Sequence, residues 1–166
     1  MTSVPRRGGR AVHLVAALLA LAVWFGAALL LTTTVAPAAF AVLPTRALAG
    51  ALVGRVLPVL FVAGIAVGLV VGVLDLRYTA TPFRRGRLAG AGALALSCAA
   101  AQLLVAPRIA RLRDSIGTSI DALPPLDPAR LAFGRLHALS VGWLAVGMVA
   151  AGVAMLFTVL ALRGRS

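Results

Sequence analysis

The sequence predicts an all-α integral membrane protein: an antiparallel four-helix transmembrane bundle with short interfacial helices in the 1–2 and 3–4 connections. Three observations predict it. Four stretches carry no Asp, Glu, Lys or Arg: 11–45, 56–74, 88–107 and 136–162. Each reaches or approaches the roughly 20 apolar residues that a helix needs to cross a bilayer core. Hydrophobic residues make up 61% of the chain and the mean hydropathy is +1.04; soluble domains are about 45–50% apolar. Finally, all 16 basic residues are arginines, and all lie between or outside those stretches.

In lipid every backbone polar group needs a partner within the protein, which leaves helices or a closed barrel. Barrel strands alternate in polarity over about ten residues. The stretches here are continuously apolar, so helices are expected, at about 11–35, 56–74, 82–106 and 128–162. They use most of the chain, which reads as one membrane domain, 1–166.

The first helix follows Arg6, Arg7 and Arg10, and Ala39-Phe40-Ala41 has the form of a cleavage site. Signal-peptide cores run about 7–15 apolar residues. Ala11 to Leu31 is 21, so the helix is expected to be retained. Pro37 follows it. Thr45 is placed to cap a helix beginning at Arg46, with Leu48, Leu52 and Val56 on one face, leading into the second span. Pro58 sits at that junction.

Gly64, Gly68 and Gly72 form a stripe at a spacing of four. Such stripes let helix backbones approach closely in membranes. The contact is expected inside the bundle, or between two copies as a homodimer through helix 2. Thr81-Pro82 is a start signal for the third span, which carries Ser97, Cys98 and Gln102. Gln102 is expected to face the bundle, because lipid exposure of its amide is costly.

After Pro107, Ile109, Leu112 and Ile116 share one face and Arg108, Arg111 and Ser115 the other, the pattern of an interfacial amphipathic helix. Leu123-Pro124-Pro125-Leu126 breaks it. Asp127-Pro128 is a cap and start for the fourth span.

The net charge is +12. A soluble protein this basic would suggest nucleic acid. Arginines flanking apolar spans point instead to anionic lipid headgroups as partners, with no nucleic acid. The absence of lysine beside abundant Ala, Val, Leu, Gly and Arg fits coding bias in a high-GC bacterium. A plasma-membrane location follows. With both termini in the cytoplasm, nine arginines lie inside and seven outside, the distribution that the positive-inside rule favours.

Antiparallel folding puts the 1–2 and 3–4 connections on one membrane face. That face gathers Thr32, Thr33, Thr34 and a candidate polar site of Arg55, Gln102, Arg108, Arg135, His137 and Ser140. The opposite face collects the termini and the 2–3 loop, whose arginines look like plain anchors. On the polar face, proline-freed carbonyls near Pro58 and Pro107 need donors, which arginine or His137 can supply.

Four motifs on this face carry a family likeness: Val35-Ala36-Pro37, Ala51-Leu52-Val53-Gly54-Arg55-Val56-Leu57-Pro58, Ala106-Pro107-Arg108 and Arg135-Leu136-His137-Ala138-Leu139-Ser140. Their order and spacing over about 100 residues resemble the transmembrane-protein-205-like family, whose bacterial members are catalogued as a domain of unknown function. The Arg-x-His-x-x-Ser block is the most specific piece. Ala138 stands where the family usually has glycine, and Leu144 where it often has asparagine. The resemblance implies a four-helix membrane protein and no established reaction.

The expected function is non-enzymatic binding or assembly, with arginines holding phosphate or carboxylate groups on the polar face. A small-solute or ion transporter or channel is an alternative, weakened by the lack of an acidic residue within a span. A copper- or haem-binding protein of the copper-resistance D type is another, since imidazole suits both metals. His13 and His137, however, start helices on opposite faces, about 30 Å apart. No metal or cofactor is expected. Ser140 and His137 share a helix face without a placed third group, so no catalytic residue is assigned.

Overall fold

The computed structural model describes residues 7–77, 83–117 and 120–164. Thr81-Pro82 lies outside those residues. Four long helical units, each of 32 residues or more, make the protein a multi-pass bundle with four candidate membrane spans. The first unit is α1 (Arg7–Leu30), a π-turn (Leu31–Val35) and α2 (Ala36–Val42). The second is α3 (Arg46–Arg77). The third is α4 (Arg84–Ala99), a π-turn (Ala100–Val105) and α5 (Ala106–Ile116). A short 3-10 turn (Ile120–Ala122) leads to α6 (Pro128–Arg163).

Both connections are helical, and each continues its span through a π-turn. The cause is local. Proline lacks an N–H and its ring crowds the carbonyl four residues back. Immediately upstream of Pro37 and Pro107 the hydrogen bonds lengthen by one residue, as in a π-bulge. Ala36 N–H donates to Leu31 O, and Ala106 N–H donates to Ala101 O. The same tripeptide, Val-Ala-Pro, closes both turns. Proline is thus absorbed and the helix runs past it.

Two caps set the other starts. Leu48 N–H donates to Thr45 Oγ1 at 3.2 Å. Ala129 N–H donates to Asp127 Oδ1 at 2.8 Å, with Pro128 in the first turn. On the exposed side of the first unit, the hydroxyls of Thr32 and Thr33 donate back to carbonyls of their own helix, so they face outward without an unmet polar need.

Around the bundle the order is α1, α3, α4, α6, with α1 also beside α6. The core is built on small residues. A Cβ on Gly64 would lie 2.5 Å from Cys98 Sγ and 2.8 Å from Trp24 Nε1; one on Gly68 would lie 2.6 Å from Ala91 O. Gly64 and Gly68 therefore seat the helix 2 stripe against α1 and α4 of the same chain. Gly72 has open space around it. Gly90 serves the α4–α6 contact, against Ala150 O and Ala154. Trp24, 2% exposed, donates its indole N–H to Leu60 O at 2.9 Å.

One element corrects the sequence reading. The arginines around the 2–3 connection are not all surface anchors. Arg87 is fully buried and forms a two-point ion pair with Asp75, itself 1% exposed, with Nη2 to Oδ1 at 2.7 Å. Arg84 Nε donates to the Asp75 carbonyl at 2.8 Å. The pair clasps α3 to α4 at the end of the bundle where α1 begins and α6 ends. Phe83 stacks on Phe157 beside it, centroids 5.9 Å apart.

Two outcomes follow in thermal unfolding of the detergent-solubilised protein. Gly68→Leu forces backbone apart and is expected to cost about 1–3 kcal/mol, while Gly72→Leu is close to neutral. Asp75→Ala leaves the Arg87 charge buried alone and is expected to cost about 3–5 kcal/mol.

Candidate functional site

The four long units exceed the length that a bilayer requires, and the surplus is concentrated at one end. Charged residues stay outside the hydrocarbon core. Residues 46–55 of α3, 108–116 of α5 and 128–135 of α6 therefore extend beyond it on the same side. Between these extensions, with Phe40 of α2 and the Ile120–Ala122 turn at the edge, lies a cleft of about 790 Å³.

The wall of the cleft is apolar and includes Leu57, Pro58, Phe61, Ala106, Pro107 and Ile109. Its polar lining has two levels, ordered by position along the helices. Arg46, Arg113 and Asp121 belong to the outer level; Gln102 and Ser140 belong to the inner one, with His137 one turn outward of Ser140. By helical rise, Arg113 and Gln102 are about 16 Å apart along the third unit.

Arg113 is the best-positioned cation. Its guanidinium carbon lies 5.2 Å from the centre of the Phe133 ring, within cation–π range. Phe133 in turn stacks on His137, centroids 6.1 Å apart and planes at 11°. Across the cleft, the guanidinium runs beside two glycines of α3. A Cβ on Gly54 would lie 3.4 Å from Arg113 Nη1, and one on Gly50 4.0 Å from Nη2. The glycine face leaves room for the guanidinium and the aromatic ring supports it. Among the described residues Arg113, Arg46 and Asp121 form no ion pair.

At the inner level Ser140 is buried, and its hydroxyl makes no side-chain hydrogen bond among the described residues. The Gln102 Oε1 atom is buried without a hydrogen-bond partner among the described residues. The π-turn that carries Gln102 packs directly on α6, which carries Ser140.

Of the six polar residues singled out from the sequence, the cleft brings together Gln102, His137 and Ser140. It does not include Arg55, Arg108 or Arg135, which are exposed. Each of these is within two residues of a cleft residue in sequence: Arg55 follows Gly54, Arg108 follows Pro107, and Arg135 is two residues from both Phe133 and His137. They sit at the level of the cleft but on the outer surface. Arg108 borders a shallow hollow with Arg111, Leu112, Ser115, Ala132 and Leu136. None of the three arginines forms a side-chain hydrogen bond or ion pair among the described residues. They therefore do not serve as donors to proline-freed carbonyls.

Sequence reasoning missed Arg46, Arg113, Asp121 and Phe133. The available signal was spacing: Arg113 is five residues after Arg108, so the two lie on different sides of α5. No three His, Cys, Asp or Glu side chains come together among the described residues.

A polar-mouthed cleft at one end of four membrane-spanning helices defines a multi-pass membrane protein with a built pocket. The chain belongs to the family described as a domain of unknown function, DUF4149, which matches residues 19–117. That match runs from within α1 to the end of α5 and stops before α6, so His137 and Ser140 lie beyond it. No curated protein and no solved structure matches the chain.

Proposed function

We propose that this protein is a non-enzymatic binding protein of the bacterial plasma membrane that holds an anionic amphiphile in the cleft between α3, α5 and α6. The acid group lies against Arg46 and Arg113, and the apolar part runs inward along Leu57, Phe61 and Ile109. The observation that carries this reading is the cleft itself: about 790 Å³, apolar in its walls and cationic at its outer end. Pockets of roughly 300–1,000 Å³ with a few placed polar groups are the usual form of small-molecule sites. Guanidinium groups match phosphate and carboxylate oxygens in pairs.

Arg55, Arg108 and Arg135 have a separate role. Facing outward, they form a collar that draws anionic headgroups of the surrounding bilayer to the bundle. The Val-Ala-Pro and Arg-x-His-x-x-Ser motifs support placing this domain of unknown function alongside the transmembrane-protein-205-like proteins. The arginine distribution supports cytoplasmic termini, which puts the cleft on the outer side of the membrane.

Binding of dodecanoate to the protein in zwitterionic-lipid nanodiscs tests the reading. The Arg46→Ala/Arg113→Ala variant is expected to bind at least about tenfold more weakly, the loss of charge-assisted hydrogen bonds. The Arg55→Ala/Arg108→Ala/Arg135→Ala variant is expected to keep the affinity. Undiminished binding in the first variant would remove the cleft as the site. Orientation is checked with a reporter fused after Ser166: a cytoplasmic fluorescent protein lights up, and a phosphatase that needs the periplasm stays inactive.

A further inference from the structure

We infer that the occupant of the cleft carries a hydroxyl group in its apolar part, received at the inner end by Gln102 and Ser140. This rests on the reading of the cleft as an anionic-amphiphile site and adds the chemistry of the far end. The mouth and the wall alone would suit any fatty acid or phospholipid chain. The inner end would not.

Gln102 lies in the third span, within a π-turn of a helix whose neighbouring positions are alanine, leucine and valine. Its amide oxygen is buried and accepts no hydrogen bond among the described residues. Buried polar groups are nearly always satisfied, and an exception calls for an explanation such as a ligand. An amide whose oxygen lacks a donor also weakens the helix contact in which it sits. Leucine in its place would pack without that penalty. Gln102 lines the cleft, and a donor held there would meet the need of its amide.

Ser140 contributes the complementary half. It borders the same cleft from α6 and its hydroxyl makes no side-chain hydrogen bond among the described residues. Elsewhere in the spans, hydroxyls are occupied locally: Thr158 donates to Ala154 O and Ser97 to Leu94 O. At the inner end, then, the protein offers an acceptor on Gln102 and a donor on Ser140. A hydroxyl both donates and accepts, so one group meets both needs. An ether or ester oxygen would only accept, and a methylene would do neither. The separation of about 16 Å between the levels of Arg113 and Gln102 places that hydroxyl well along the chain from the acid group.

The test compares three amphiphiles of one chain length on the protein in zwitterionic-lipid nanodiscs, with empty nanodiscs as background: dodecanoate, 12-hydroxydodecanoate and 12-methoxydodecanoate. The hydroxy acid is expected to bind about tenfold more tightly than the methoxy acid and more tightly than dodecanoate, although its hydroxyl favours water. Gln102→Met, which keeps the volume and removes the acceptor, is expected to bring the hydroxy and methoxy acids to parity while dodecanoate changes less than about twofold. Ser140→Ala removes the donor and is expected to reduce the preference for the hydroxy acid over dodecanoate, while the preference over the methoxy acid, set by Gln102, persists. If the unaltered protein binds dodecanoate but does not prefer the hydroxy acid, the hydroxyl is wrong and the anionic-amphiphile reading stands. If none of the three acids binds, that reading fails and the hydroxyl with it. The comparison on the unaltered protein is decisive even where a variant does not fold.

Discussion

Close approach of three helices around Trp24 is the constraint on which the rest of the bundle depends. In lipid, apolar side chains gain little by leaving their surroundings, so helices associate through fit and hydrogen bonds. Trp24 supplies both. Its indole lies against Gly64 of α3, and a Cβ on Gly147 of α6 would come 3.3 Å from the ring and 2.9 Å from Ser97 Oγ of α4. Its N–H reaches Leu60 O. A side chain at either glycine would meet atoms that have little room to move. One residue of α1 therefore sets the heights of α3 and α6, which face each other across the bundle rather than side by side.

The two ends of the bundle treat charge in opposite ways. At the end where α1 begins and α6 ends, α3 and α4 are joined by Asp75 and Arg87, two opposite charges with almost no exposure. Removing two ions from water is expensive, and it is tolerable here because the guanidinium and carboxylate meet at two points and Arg84 adds a hydrogen bond to the same turn. At the other end Arg46, Arg113 and Asp121 line one cleft without forming an ion pair among the described residues. A closed clasp at one end and an open mouth at the other fit helices held together at the middle by Trp24.

The open end also depends on proline being absorbed. Had Pro37 and Pro107 ended their helices, α2 and α5 would be separate pieces and Arg113 would have no fixed place over Phe133. The π-turns before each proline keep the helices continuous. They also carry a practical consequence for the site, because Gln102 sits inside the second of them. A wider turn changes the direction of every side chain after it, so the faces of α5 cannot be projected from those of α4.

Four spans, the caps at Thr45 and Asp127, and the end at which polar variety gathers are determined by the sequence alone. The reason is that a bilayer excludes charge, so the order of charged and uncharged stretches along the chain already describes positions across the membrane. Gln102 was legible for the same reason, as an amide where lipid would not accept one. What only the tertiary structure decided is direction around each helix. Lipid and protein core are equally apolar, so a sequence pattern does not separate the face that meets lipid from the face that meets another helix. Arg113 turns into the cleft and Arg108 out of it, Arg46 in and Arg55 out; Gly64 and Gly68 meet neighbours and Gly72 meets none. Arg87 looked like any other loop arginine until the packing of α4 on α3 brought Asp75 to it. Position across the membrane is written in one dimension, whereas rotation about a helix axis is settled only when the other helices arrive.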